Sequence, residues 1–269
     1  PSRKLKSSLF PLLEDHLQAA QRLERLAPIF PIPEVEMGRQ RRLHEVIDKS
    51  AEWVSAWGRA CALQALANLI IMNEIGRPAQ QKAIDTLIKA LANPDPLLRE
   101  TAVWGLMRVD PHAYRSQVEP LASDPSPQVA FVAGQLTAMQ NGEMIMQSTI
   151  EKVITLKSIS IFAEIPEEVL VTLAANLKEI DVEAGQTIVK KGEIGRSMYI
   201  LVTGQVRIHD GDKTLGHLGD KDIFGELATL DAEPRTASVT AVEDTTLFML
   251  NQDILYELMA DHVEVARGI

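Results

Sequence analysis

The sequence predicts an α+β multidomain protein, helical in its first half and sheet-rich in its second, on three observations. Up to about Asn141-Gly142 apolar residues recur at helical spacing and β-branched runs are scarce. After about Glu179, short alternating segments separated by glycine and aspartate take over. Within the first half, a proline-bearing turn recurs at an offset of 31 residues. A chain of 269 residues is long enough for two domains with cores of their own, and 46% hydrophobic against 24% charged residues sets disorder aside. The expected organisation is a helical repeat domain over 1–141, a linker helix over 142–158 and a β-rich domain over 159–269.

The helical half rests on its repeat. Asn93-Pro94-Asp95-Pro96-Leu97-Leu98-Arg99-Glu100-Thr101-Ala102 aligns with Asp124-Pro125-Ser126-Pro127-Gln128-Val129-Ala130-Phe131-Val132-Ala133, and a third copy starts near Ala51, with Trp57 to Leu66 as its second half. A polar proline turn followed by a helix with small inner residues resembles a HEAT-type helical repeat. One helix pair cannot bury its apolar face alone, so neighbours stack and alanines allow close approach. An irregular bundle using similar turns is the competing description. The single cysteine, Cys61, lies in the apolar run Arg59-Ala60-Cys61-Ala62-Leu63, which reads as a buried helix position and rules out an internal disulfide. Arg39-Gln40-Arg41-Arg42 reads as a solvated helix face.

The linker follows. Met144 to Leu156 presents Ile145, Thr149, Lys152 and Leu156 at roughly helical spacing. Beyond it, Val182–Val189, Met198–Thr203, Val206–His209, Thr236–Val242 and Thr246–Leu250 read as strands, and Asp210-Gly211-Asp212 as a hairpin turn. Many short strands with such turns suit a β jelly roll with flanking helices.

One stretch in this half carries chemistry. Phe224-Gly225-Glu226-Leu227-Ala228 is followed by Arg235-Thr236-Ala237-Ser238-Val239. Gly225 lets the backbone approach a ligand without a Cβ in the way, and a short helical turn after it would aim free N–H groups at an anion. Arg235 adds a planar fork of donors for phosphate oxygens. Glu226 repels a bare phosphate but is a natural acceptor for a ribose hydroxyl, so the pair suits a sugar phosphate. Singly, each residue has an ordinary reading as a turn glycine, a helix-start acid or a loop cation.

In this order and spacing they resemble the phosphate-binding cassette of the cyclic nucleotide-binding domain of cyclic-nucleotide-dependent kinases, cyclic-nucleotide-gated channels and the bacterial catabolite activator. The resemblance runs from about Ile159 to the end, through Ile161-Phe162, Pro166 to Leu170, Ala184 to Ile188, Lys191-Gly192-Glu193-Ile194-Gly195, Met198 to Leu201 and Gly204-Gln205-Val206. It implies that Glu226 binds the ribose 2′-hydroxyl and Arg235 the cyclic phosphate. Backbone donors would come from Gly225, Leu227, Ala228 and Ala237, with Phe224 and Thr236 completing the set. Arg196 departs from the family, where an aspartate commonly follows the glycine. A threonine after the arginine is compatible with both cyclic AMP and cyclic GMP; cyclic AMP is the expected ligand on a bacterial origin, inferred from the transporter-like arrangement below, with cyclic GMP its alternative. The family also places a lid helix over the purine, which here would be short or missing after Asp253 to Met259.

The remaining features narrow the function. Residues 1–149 carry 16 basic and 16 acidic side chains and residues 150–269 carry 11 and 21, so the net charge of −10 belongs to the C-terminal half, which disfavours nucleic acid as its partner. Six scattered histidines offer no metal-ligand spacing, and the glycines at 211, 216 and 219 lack the ending of a P-loop, so no metal or catalytic residue is proposed. No helix-turn-helix or kinase motif is present, and no run reaches the ~18 apolar residues of a membrane span. The chain opens Pro1-Ser2-Arg3-Lys4-Leu5-Lys6 without an initiator methionine and reads as a piece of something longer. The arrangement resembles the soluble C-terminal region of bacterial transporters related to ATP/ADP translocases. The expectation is a cytoplasmic, non-enzymatic cyclic nucleotide sensor, at the membrane face if a transporter precedes it, that passes occupancy to its helical half and a protein partner. The alternative is a degenerate, non-binding domain serving as an interaction scaffold.

Overall fold

The computed structural model describes residues 39–138, 147–225 and 234–261. It divides into two compact units that part between Ile150 and Glu151.

The first unit is helical: α1 (Arg39–Asp48), α2 (Ala56–Ile71), α3 (Arg77–Ala90), α4 (Pro96–Val109), α5 (Pro111–Val118), a 3-10 turn (Glu119–Ser123) and α6 (Pro127–Ala138). Helix starts follow local chemistry. Asp95 accepts the Leu97 N–H ahead of α4, and Asp110 accepts the His112 and Ala113 N–H groups ahead of α5, each followed by a proline that has no N–H to leave unpaired. Helices α2 and α4 are buried on most faces, including Trp57, Leu63 and Leu66 on one and Leu98, Trp104 and Leu106 on the other, so both form the centre of the unit. Gly105 sets their approach, since a Cβ there would lie 3.0 Å from Ala67 Cβ and 3.1 Å from Leu87 Cδ2.

The two aligned proline turns are joined by one side chain. Arg99 donates from Nε and Nη2 to the two carboxylate oxygens of Asp124 at 2.8 and 2.7 Å. Its Nη1 donates to the carbonyls of Asn93 and Pro94 at 2.8 and 2.9 Å. Asp124 is the counterpart of Asn93 at the 31-residue offset, so the sequence repeat corresponds to a physical register between neighbouring turns.

The expected helix over 142–158 is helical from Thr149 to Lys157 (α7), and residues 142–146, with Met144 and Ile145, lie outside the described residues. Side chains set that start: Ser148 Oγ donates to Gln64 Oε1 at 2.9 Å and the Thr149 N–H to Glu100 Oε1 at 3.2 Å.

The second unit continues with a 3-10 turn (Ser160–Phe162), α8 (Glu167–Asn176), β1 (Lys178–Val182), β2 (Thr187–Val189), β3 (Ser197–Thr203), β4 (Val206–Asp210), β5 (Lys213–Leu218), β6 (Ile223–Phe224), β7 (Ser238–Ala241), β8 (Thr245–Asn251) and α9 (Gln252–Asp261). Two four-stranded antiparallel sheets result, in the orders β1-β8-β3-β6 and β2-β7-β4-β5. Val182, Val189, Leu201, Val206, Phe224, Val239, Ala241 and Leu247 form their shared core. Strands β3 and β8 also bury Met198, Ile200, Phe248 and Leu250. Lys152 of α7 stands 5.9 Å over the Phe248 ring, which places this helix on the sheet's other face.

Three strand expectations change. Val182–Val189 divides into β1 and β2, because Gly185 turns the chain at φ +85° with its N–H on Ala241 O at 2.8 Å. Thr236–Val242 shortens to β7, its first two residues being a bend. β5 and β6 are additional, and the Asp210-Gly211-Asp212 hairpin joins β4 to β5 with Asp210 paired to Lys213. Among the described residues, no helix is long and apolar enough to cross a membrane.

Candidate anion-binding site

Three segments of the second unit meet at Arg235: the β2–β3 connection, the end of β6 and the approach to β7. The backbone of Arg235 is fixed from both sides, its N–H donating to Glu193 O and its carbonyl accepting from the Gly192 N–H, each at 2.8 Å. Ile194 and Pro234 form a β-bridge beside this pair, and the Lys191 N–H donates to Ser238 Oγ at 3.0 Å.

The side chain is fixed as well. Arg235 is 8% exposed, and its Nη1 donates to Gly225 O at 2.9 Å and its Nη2 to Ser197 O at 2.5 Å. Two glycines leave the space it occupies. A Cβ at Gly195 would stand 2.0 Å from Arg235 Nε and 2.2 Å from Cζ, and one at Gly225 would stand 2.3 Å from Nη1. Gly225 also adopts φ +80°, a backbone state that side chains disfavour, so both its conformation and its lack of a Cβ serve the same contact. The outcome is a planar cation, charged at any physiological pH, held in one orientation before a ligand arrives. Carbonyl dipoles orient a guanidinium without removing its charge, so the chemistry on offer is recognition of an oxyanion by charge-assisted hydrogen bonds.

Of the residues singled out in the sequence, Gly225 and Arg235 are brought into contact. Thr236 beside them is exposed and Ala237 half-buried. The Phe224 side chain belongs to the core, stacked on Tyr199 with ring centroids 5.0 Å apart, so it positions Gly225 rather than facing solvent. Glu226, Leu227 and Ala228 lie outside the described residues. Gly195, Ser197 and Glu193 complete the seat of Arg235 and were not among the expected binding residues. The available signal was a second glycine, Gly195, three residues after Gly192 in a turn that one glycine already serves. Among the described residues, no cluster of three or more His, Cys, Asp or Glu side chains is placed to hold a metal ion.

Comparison with known proteins agrees with this chemistry. Residues 179–262 match the family model of the cyclic nucleotide-binding domain. A CRP-like cAMP-activated global transcriptional regulator of Mycobacterium tuberculosis is 31% identical over 114 residues, 40% of this chain and 51% of the regulator. A cGMP-dependent protein kinase of Eimeria tenella is 30% identical over 151 residues, 53% of this chain and 15% of the kinase. The chain thus spans about half the length of the first relative and a small part of the second. Among solved structures, the catabolite activator protein of Thermus thermophilus aligns at 33% identity and a TM-score of 0.37, covering 40% of this chain and 54% of that one. Residues 179–262, the seated Arg235 among them, form a cyclic nucleotide-binding domain similar to that of CRP-like regulators.

Proposed function

We propose that the chain is a cyclic nucleotide sensor that performs no catalysis, with cyclic AMP as its ligand and cyclic GMP as the alternative. The observation that carries this reading is the Arg235 guanidinium, held by Gly225 O and Ser197 O between two glycines at the position where the family binds the cyclic phosphate. In this reading Glu226 takes the ribose 2′-hydroxyl, the backbone of Gly225, Leu227, Ala228 and Ala237 donates to the phosphate, and the exposed Thr236 faces the purine. A cAMP-activated relative and a cGMP-dependent one are consistent with either purine.

The helical unit is read as HEAT-like and the two sheets as a jelly roll, with the repeat register at Arg99 and Asp124 and the two-sheet core as their respective support. Occupancy passes from the β unit to the helical one and on to a protein partner, a fused transporter on the cytoplasmic face of a membrane being the parent that the domain order favours. Nucleic acid is not part of this proposal, the acidic C-terminal half being its support.

Titration calorimetry with cyclic AMP and cyclic GMP tests the reading. Saturable binding is expected, with cyclic AMP equal or tighter. Cyclic GMP binding more than tenfold tighter would reverse the ligand assignment. No heat or saturation with either nucleotide at millimolar concentration would leave the scaffold alternative.

A further inference from the structure

The β2–β3 connection has a charge pattern that the seat of Arg235 does not use. Its charged side chains are Lys190, Lys191, Glu193 and Arg196, in a half of the chain with 21 acidic against 11 basic residues. Lys191 is paired with Asp210 and is thereby spent. Arg196 is exposed, and among the described residues its side chain has no hydrogen bond or ion pair. Its neighbours on either side are the two residues that hold Arg235: Gly195, whose absent Cβ gives the guanidinium its place, and Ser197, whose carbonyl accepts from Nη2. The Arg196 Cα is therefore one trans peptide, ~3.8 Å, from a residue in contact with the buried guanidinium. The Arg196 backbone is fixed too, its carbonyl accepting the Gln252 N–H at 2.8 Å.

Resting on the ligand reading above, we infer that Arg196 is an anion-recruiting residue: an exposed cation, next in the chain to the two residues that hold the buried one, that draws the anionic phosphate of a cyclic nucleotide to its site. In an acidic domain the long-range field opposes an anion, so a local, exposed cation close to the anion site raises how often encounter succeeds. Its interaction is exposed and screened, with a reach of about 8 to 10 Å at physiological salt. The effect therefore falls on the association rate and fades as salt rises, whereas Arg235 acts on the bound state.

The test is stopped-flow binding of a fluorescent 8-substituted cyclic AMP, competed with unlabelled cyclic AMP, at about 20 mM and 300 mM salt. It uses the whole chain, Arg196→Gln, Arg196→Asp and Lys89→Gln, the last removing an exposed cation from α3 of the helical unit. At low salt, Arg196→Gln is expected to slow association about two- to threefold and Arg196→Asp about fivefold, with dissociation little changed and both losses shrinking at high salt. Equal association rates in wild type and Arg196→Gln, or an equal loss in Lys89→Gln, overturn the inference while leaving the ligand reading intact. No saturable signal from wild type overturns the ligand reading and the inference with it.

Discussion

Arg235 and Gly195 are in a contact that leaves no room for a side chain: a Cβ on Gly195 would stand 2.0 Å from Arg235 Nε. Gly195→Ala therefore has to displace the guanidinium or the turn that carries it. The arginine is anchored at Gly225 O and Ser197 O and the turn at Glu193 and Gly192, so neither yields freely. The expected result is a loss of cyclic nucleotide affinity of tenfold or more, with a stability cost of about 1 to 3 kcal/mol, the usual range for overpacking. Calorimetry and a thermal melt on one sample check both. Wild-type affinity in Gly195→Ala would mean that Arg235 does not need this seat to bind.

Arg235 itself separates charge from geometry. Arg235→Ala removes charge-assisted contacts and leaves the Gly225 and Ser197 carbonyls without this donor, for an expected loss of about 2 to 4 kcal/mol in binding. Arg235→Lys keeps the charge but cannot bridge two carbonyls and an anion from one planar fork, so most of that loss should persist. Full affinity in the lysine variant would reduce the role of Arg235 to a point charge.

How far the sequence disclosed all this depends on what each residue does. The Asp95-Pro96 turn was legible because an N-cap acid and a proline at the first helical position are local chemistry, and α4 begins on it. The strands β3, β4 and β8 were legible from alternation. β5 was not, because Lys213-Thr214-Leu215-Gly216-His217-Leu218 is an edge strand with a glycine inside it, and its pairing with β4 is a tertiary fact. At the site, Gly225 and Arg235 stood out by type and spacing. Phe224 was drawn into the set by its neighbours, although an aromatic that alternates with inward residues goes to the core. Gly195 and Ser197 act through empty space and a backbone carbonyl, which no residue type announces.

Lys221 offers a stability test next to the site. It adopts φ +73° in the turn before β6, a left-handed state that costs a side chain about 1 to 2 kcal/mol and glycine almost nothing. Its N–H donates to Leu201 O at 2.8 Å, so the conformation is held by the sheet. Lys221→Gly is expected to stabilise the β unit by roughly 0.5 to 1 kcal/mol after the entropy lost by freeing the unfolded chain. Denaturant melts of Lys221→Gly beside Lys221→Ala decide it: the alanine variant should gain nothing, and equal melting points for both would remove backbone strain as the cause.

Arg99 and Asp124 tie neighbouring turns of the helical unit, with side chains only 14% and 7% exposed. The Arg99 hydrogen bonds, with the Ser126 N–H, hold the Asp124 carboxyl below its ordinary range against the opposing effect of burial. For a carboxylate with a lowered folded pKa, the stabilisation is complete above its ordinary pKa and disappears as pH falls through the folded value. Asp124→Asn should cost about 2 to 5 kcal/mol at neutral pH, because Arg99 loses its charged partner while staying buried. The cost should shrink in strong acid, where the wild-type carboxyl is itself protonated. A cost independent of pH would show that packing, not charge, joins the turns.

His44 gives the opposite test, near neutrality. It is 5% exposed between α1 and α3, with Nδ1 3.1 Å from Thr86 Oγ1 and Nε2 3.4 Å from Gln40 Nε2. The Thr86 hydroxyl donates to Lys82 O and the Gln40 amide donates to Ala79 O, so Nδ1 must donate and Nε2 must accept. Only the neutral ring satisfies that network, since a proton on Nε2 would face another donor. Burial, then the charge of Lys82, lower the His44 pKa, and Asp48 opposes them more weakly. The unfolded chain thus takes up the proton first, and the helical unit loses stability as pH drops from about 6.5 through the folded value. The loss is limited to about 1.4 kcal/mol per pH unit, the linkage of one proton. His44→Gln should remove this acid dependence, whatever it does to stability at neutral pH. Urea melts of both proteins at pH 7.5 and 5.5 settle the point: a difference between wild type and variant that is the same at both pH values would mean His44 is not held neutral by this network.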